Sequence, residues 1–432
     1  MLSEKISDGI NGSPIIPGDK SISHRAIIIP SIAKGISEVK NILKSEDVIH
    51  TLNTFKLMGV KIEEQNGNII INGEGLNSLK KPSREIYLGN SGTSARLLTG
   101  LLSSQRFESK ITGDKSLSKR PMKRISDPLL EMGAEIHTSN GNLPIIINGK
   151  ELKPDTIDIK IPSAQIKSGI LLACLNIQGV SNIIEHKVTR DHTEIMLEAF
   201  GANLDISKEG IKKIIKIEGK KELRSKNIEV PSDFSSSAFF IVAALINKDS
   251  YIKLNNININ PTRNGLLIAL KKMGANIKLL NKRFSNNEQI CDIEVTTSEL
   301  VGCDLGPEIA DLMIDEFPIL SIAASFANSP SIFRGLNELR VKESDRLNLI
   351  SLNLLNCGID CKIIENDLYI NPSNKLNVIK NIIRTDYDHR IAMAFCIMGT
   401  KIGPLKINDP ESINTSFPSF INELNKIGGK IT

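Results

Sequence analysis

Basic side chains recur in this sequence where the local pattern signals the start of a helix. Lys20 and Arg25 accompany the first such start, Arg96 the second and Arg390 the sixth. Lys342 and Arg346 stand at i and i+4 in Arg340-Val341-Lys342-Glu343-Ser344-Asp345-Arg346, which places them on one face if the stretch is helical. A helix N-terminus already carries partial positive charge and free N–H groups. Added cations are unfavourable there unless an anion is bound, and like charges at i and i+4 repel weakly. A solvated surface accounts for any one of these residues taken singly. For the set, a multiply anionic ligand is the better account.

Other chemistries fit less well. The chain has no GxxxxGK[ST] and no GxGxxG, so nothing suggests a nucleotide loop. Ser23-His24 and Asp388-His389 hint at Ser/His/Asp catalysis, but there is no nucleophile elbow. His50, His137 and His186 read as structural or exposed, and His192 as either. By themselves, Asp315 and Glu343 suit a helix cap and a surface partner of Arg346. Gly92 suits a turn and Ser163 a cap.

Composition narrows the partners. Lys plus Arg is 54 against 49 Asp plus Glu, a net charge of +5, too small and too evenly spread to predict nucleic acid as the main partner. Aromatic residues are 4% with no Trp, which leaves no stacking platform for single strands. No apolar run approaches the ~18 residues of a membrane span, and Met1-Leu2-Ser3-Glu4-Lys5 opens a segment without the apolar core of a signal peptide. Six scattered cysteines, with Cys357 and Cys361 flanking a glycine, read as buried apolar residues rather than zinc ligands. A cytoplasmic location is expected, with no membrane partner.

An internal repeat must position the basic residues. A helix-ending glycine followed by a strand-like stretch occurs at Gly59, Gly133, Gly201, Gly274, Gly358 and Gly428, spaced by 74, 68, 73, 84 and 70 residues. A polar loop entering an apolar helix precedes each. From Lys20, Gly92, Ser163, Ser235, Glu316 and His389 to the next glycine is 39, 41, 38, 39, 42 and 39 residues. Six matches in register indicate units of helix, strand, helix, glycine and strand, about 70 residues each. Only four residues follow Gly428, so the strands missing from the last unit must come from the N-terminus. The expectation is two groups of three units, with crossings near 17–21 and 231–237. One lobe is 18–235; the other is 236–432 completed by 1–17.

The motifs that carry these residues resemble the enolpyruvyl transferases, and among them the EPSP synthase family. The matching segments are Pro17-Gly18-Asp19-Lys20-Ser21-Ile22-Ser23-His24-Arg25, Leu88-Gly89-Asn90-Ser91-Gly92-Thr93, Lys119-Arg120-Pro121-Met122, the run from Arg340 to Arg346, and Asp388-His389-Arg390-Ile391-Ala392-Met393. The resemblance covers essentially the whole chain, in order. It implies a mixed α and β fold of two lobes, each of three β-α-β-α-β-β units around inner helices, an inside-out α/β barrel. The paralogous UDP-N-acetylglucosamine enolpyruvyl transferases usually open with a Gly-Ala-Lys-Asn type segment and carry a loop cysteine before their Arg-Pro. Here Gly18-Asp19-Lys20-Ser21 and a cysteine-free run from Thr112 to Arg120 favour the shikimate branch. The alternatives are that paralogue's activity, or a non-catalytic anion-binding protein on the same fold.

The implied reaction joins shikimate 3-phosphate and phosphoenolpyruvate into 5-enolpyruvylshikimate 3-phosphate and phosphate, by a monomer without cofactor or metal. The resemblance implies Asp315 as base at the 5-hydroxyl, Glu343 as proton shuttle at the methyl carbon, and Lys20 touching both substrates and assisting proton transfer. It implies Ser21, Arg25, Ser163, Ala164 (through its backbone), Gln165, Arg190 and Lys342, with Lys20 and Asp315, at shikimate 3-phosphate. Gly92, Arg120, Gln165, Arg346 and Arg390, with Lys20, are implied at phosphoenolpyruvate. Thr415 stands where many relatives have a lysine; Ala164 and Arg190 replace a serine and a tyrosine and read as subgroup traits. Gly92 implies inhibition by glyphosate, since insensitive relatives often have alanine there.

Overall fold

The computed structural model describes residues 1–373 and 380–432. The second repeat shows the common plan. A short strand Ile86–Tyr87 leads into the helix Gly92–Ser103, then the strand Glu108–Thr112, the helix Lys123–Glu131, and the hairpin of Glu135–Ser139 with Asn142–Asn148. The first strand runs parallel to the second, with Ile86 opposite Ile111. The fourth runs antiparallel to both the second and the third. Alternation sets the buried face: in Asn142–Asn148 the side chains of Leu143, Ile145 and Ile147 point inward while their neighbours do not. Among the described residues five sheets have this four-stranded order of first, second, fourth, third.

The remaining strands come from distant parts of the chain. Leu2–Ser3 pairs antiparallel with Leu405–Ile407 in the sixth sheet, and Ser3 also bridges Ile431. Asn11–Gly12 forms the parallel edge of the fourth sheet against Tyr251–Asn258. Ile228–Glu229 does the same for the first, against Lys34–Lys40. Each of the six repeat glycines follows its outer helix with a positive φ, from 80° at Gly274 to 115° at Gly428. Few other residues adopt that conformation at low cost, which is why the repeat is visible as glycines.

The chain divides into two compact units: Gly18–Val230 with Ser285–Glu288, and Met1–Pro17 with Pro231–Phe284 and Gln289–Thr432. Pro231 opens the second stretch of the unit that begins at Met1. Ser232 already bridges Ile257, and Asp233 N donates to Pro17 O at 2.8 Å.

In the unit Gly18–Val230 the inner helices are Lys20–Ser31, Gly92–Ser103 and Ala164–Cys174. The last two meet at paired glycines, for a Cβ on Gly100 would lie 1.9 Å from Gly169 O. In the other unit they are Phe234–Ile246, Phe317–Ser325 and His389–Ile402, and every residue of the first two is buried. A helix apolar all round belongs in a core. Phe239, Phe240, Phe417 and Phe420 pack there with ring centroids 5.7–5.9 Å apart. Five of the six cysteines are buried and all are free thiols. Among the described residues no helix is long and apolar enough to cross a membrane.

Candidate functional site

In the unit Gly18–Val230 the inner helices begin at side-chain caps. Asp19, Ser91 and Ser163 accept from the backbone N–H groups of Ile22, Ser94 and Ile166 at 2.9, 3.2 and 3.4 Å. These caps fix where the following residues point. Lys20 lies directly after Asp19, with Nζ 2.5 Å from Asp47 Oδ2 at the start of the outer helix Glu46–Leu57. Arg25, one turn on, is buried; its Nε donates to Thr193 Oγ1 at 2.6 Å and its NH2 to Ser168 Oγ at 2.7 Å. Its NH1 donates to Ser21 O at 2.8 Å. Burial draws this guanidinium down to about 10, against the pull of Glu194 and Asp19. Arg190, half-buried ahead of the helix His192–Ala199, pushes in the same direction as burial.

Gly92 is the first residue of its helix, and its φ lies outside the left-handed region. The glycine leaves space instead: a Cβ there would come within 2.8 Å of Arg120 NH1 and 2.9 Å of Arg96 NH1. Arg96 donates to Gln165 Oε1 at 2.7 Å, to Pro121 O at 3.2 Å and to Gly92 O at 3.3 Å. Gln165 Nε2 donates to Thr93 Oγ1 at 3.0 Å, and Arg120 NH2 donates to Asn90 Oδ1. The fold thus gathers Gly92, Arg96, Arg120 and Gln165 around two helix starts. Ser163 and Ala164 immediately precede Gln165 as the cap and first residue of the third inner helix.

The Ser23-His24 pair is structural. Ser23 Oγ accepts from Leu43 N at 3.0 Å, while His24 Nδ1 lies 2.8 Å from Thr51 Oγ1 and 3.2 Å from Ser94 Oγ. Burial, then Lys20 and Arg25, hold the His24 pKa well below its usual value and keep the ring neutral. His192 is buried with Nδ1 2.7 Å from Glu288 Oε1.

In the other unit the organising group is Arg346, fully buried at the start of the helix Arg346–Asn356. Its Nε donates to Asp388 Oδ2 at 2.8 Å, NH1 to Asp315 Oδ1 at 3.2 Å and NH2 to Glu343 Oε2 at 2.5 Å. Burial alone would lower its pKa; Asp388, Glu343 and Asp315 outweigh that and raise it. Of five N–H donors on a guanidinium, these bonds use three. Arg390 NH1 donates to Asp315 O at 3.3 Å, and its Nε stands 3.8 Å from Asp315 Oδ1.

Two local expectations are corrected here. Asp315 is no helix cap: Glu316 precedes Phe317–Ser325, and the Asp315 side chain turns to Arg346. Lys342 and Arg346 do not share a helical face. Lys342 follows the 3-10 turn Asn337–Val341, and Asp345 caps the next helix by accepting from Asn348 N at 3.1 Å. Lys342 is half-buried; desolvation lowers its pKa although Asp315 opposes this. Thr415 Oγ1 donates to Ser412 O at 2.7 Å and lies 3.3 Å from His389 Nδ1.

The sequence reading did not single out Asp47, Asn90, Ser168, Thr193 and Asp388 as partners of these cations. Asn90 and Asp388 stand inside quoted motifs; Asp47, Ser168 and Thr193 are one polar residue each on a helix, a weak signal before the helices are placed.

Five sheets of one strand order and a shorter sixth, with cations and carboxylates gathered near helix starts, are the architecture of the enolpyruvyl transferase fold. The enolpyruvyl transferase NikO from Streptomyces tendae shares that fold, with a TM-score of 0.79 over 100% of this chain and 98% of its own at 14% identity. The chain belongs to the EPSP synthase family (3-phosphoshikimate 1-carboxyvinyltransferase), whose sequence profile matches residues 5–424. It is 44% identical over 428 residues to the 3-phosphoshikimate 1-carboxyvinyltransferase of Vesicomyosocius okutanii, covering 99% of this chain and 97% of that one. An EPSP synthase structure from Acinetobacter baumannii matches with a TM-score of 0.86 and 43% identity, over 99% of this chain and 98% of that one.

Proposed function

We propose that this chain transfers the carboxyvinyl group of phosphoenolpyruvate to the 5-hydroxyl of shikimate 3-phosphate, releasing phosphate, on the route to chorismate and the aromatic amino acids. Family membership over nearly the whole chain, with Lys20, Arg25, Arg120, Asp315, Lys342, Glu343, Arg346 and Arg390 all present, is the observation that carries the reading. In this reading Asp315 removes the proton of the 5-hydroxyl as its oxygen bonds to C2 of phosphoenolpyruvate. Glu343 delivers a proton to C3, making it a methyl group. The tetrahedral adduct then loses phosphate as the C2–O bond to phosphorus-bearing oxygen breaks, and Glu343 takes a proton back from the methyl group. Lys20 touches both substrates and assists proton transfer.

Ser21, Arg25, Ser163, Ala164, Gln165, Arg190 and Lys342 hold shikimate 3-phosphate. Gly92, Arg120, Gln165, Arg346 and Arg390 hold phosphoenolpyruvate. Supporting this, Asp315 and Glu343 both accept from the Arg346 guanidinium, at 3.2 and 2.5 Å, which sets the two carboxyl groups side by side. The enzyme works as a cytoplasmic monomer. A phosphate-release assay tests the activity: release should require both phosphoenolpyruvate and shikimate 3-phosphate, and UDP-N-acetylglucosamine should not replace the latter. Transfer to the sugar nucleotide alone would overturn the proposal.

Gly92 supplies a second test. Glyphosate should inhibit the enzyme, and Gly92→Ala should raise its inhibition constant about tenfold or more, equivalent to ~1.4 kcal/mol, with a smaller rise in KM for phosphoenolpyruvate. The added methyl meets the movable ends of Arg96 and Arg120, and no positive φ is needed, so the fold should persist. Inhibition constant and melting temperature measured together decide the matter. A folded variant inhibited as strongly as the parent refutes the steric argument.

A further inference from the structure

Between the third inner helix and the outer helix that follows it lies a buried ion cluster. Lys167 Nζ is 2.9 Å from Glu185 Oε2 and 2.8 Å from Glu194 Oε1, and Lys213 Nζ is 3.0 Å from that same Glu194 oxygen. All four side chains are almost wholly removed from solvent. Desolvating two ammonium and two carboxylate groups is costly, so such a cluster is weak evidence of stabilisation and better evidence of a geometry being held. Lys167 lies on Ala164–Cys174 and Glu194 on His192–Ala199, so their pairing fixes one helix against the other.

The residues adjoining this clamp are Ser168 and Thr193, whose hydroxyl oxygens stand 2.6 Å apart. Both receive Arg25, Thr193 from Nε and Ser168 from NH2. One proton arrangement satisfies every group. The Ser168 hydroxyl donates to Ala164 O at 2.6 Å, and the Thr193 hydroxyl donates to Ser168 Oγ. Each oxygen then accepts from the guanidinium. Arg25 is aimed by two hydroxyls whose spacing the ion cluster sets, and the same network anchors the carbonyl of Ala164.

We propose that Thr193, with Ser168, is a positioning residue for shikimate 3-phosphate binding, acting through Arg25 without touching substrate. The proposal rests on the reading of Arg25 as a shikimate 3-phosphate contact. Thr193→Val keeps the shape and removes the acceptor for Arg25 Nε. KM for shikimate 3-phosphate should rise roughly tenfold to hundredfold, as expected when a buried charged donor loses its partner. KM for phosphoenolpyruvate and kcat at saturation should change little, and Thr193→Ser should restore the parental value. A structural role alone would lower the melting temperature without singling out one substrate. Should Thr193→Val fold poorly, Ser168→Ala decides, with the same selective rise expected. Arg25→Met is the control. If it raises KM for shikimate 3-phosphate while the folded hydroxyl variants leave it unchanged, the positioning role is wrong and the reading of Arg25 stands. If Arg25→Met leaves that KM unchanged, the reading of Arg25 fails and the positioning role with it.

Discussion

Glu343→Gln should slow turnover by about 100-fold or more, the scale typical of a general acid–base residue, and should suppress exchange of the methylene protons of phosphoenolpyruvate with solvent. Asp315→Asn should slow turnover to a similar extent by impairing attack of the 5-hydroxyl. The distinction follows from the proposed destinations of the protons, carbon for Glu343 and the alcohol oxygen for Asp315. Both substitutions keep the side chain's size, and an amide oxygen can still accept from Arg346 NH2 or NH1 as the carboxylates do. Loss of activity should therefore come without loss of the fold, which the melting temperature checks. Proton exchange is followed by NMR in deuterated solvent. Exchange at the parental rate in Glu343→Gln would show that the carbon proton does not pass through this carboxyl.

The repeat was legible because its punctuation is chemical. A helix that ends on a left-handed residue selects glycine, and six such glycines occur at nearly equal spacing. Inner-helix starts were legible for a related reason: Asp19, Ser91, Ser163, Asp233 and Asp388 are good caps, and each accepts a backbone N–H. The partners of the cations were not legible. Arg25 meets Ser168 and Thr193, 143 and 168 residues away, and Arg346 meets Asp388, 42 residues away. Contacts between repeats follow from how the helices pack and leave no local period. Lys167 illustrates the limit, since a lysine inside the apolar run of Ala164–Cys174 gives no sign that two glutamates meet it. The spacing of Lys342 and Arg346 misled because Asp345 caps a new helix between them, so a local cap overrode an apparent helical register.

Arg346→Met should be the most damaging change to the unit that contains it. The three carboxylates now share a buried positive charge, and Asp388 is as deeply buried as the arginine itself. Asp388 also accepts from Ser344 Oγ at 2.9 Å and, through Oδ1, from Arg390 N at 2.9 Å, so it cannot turn away to water without uncapping its helix. Removing the guanidinium leaves that carboxylate uncompensated, at a cost of about 3–5 kcal/mol for a broken buried pair. Denaturant unfolding should show that loss. A second substitution separates the cause from a simple cavity: Asp388→Asn removes the stranded charge, so the double variant should be more stable than Arg346→Met alone. Arg346→Lys should retain more stability yet remain nearly inactive, because one ammonium cannot hold three carboxylates in the geometry of a planar fork and still present N–H groups to an anion. If Asp388→Asn brought no recovery, the damage would lie in lost packing, and the charge balance around Arg346 would not be what secures Asp315 and Glu343.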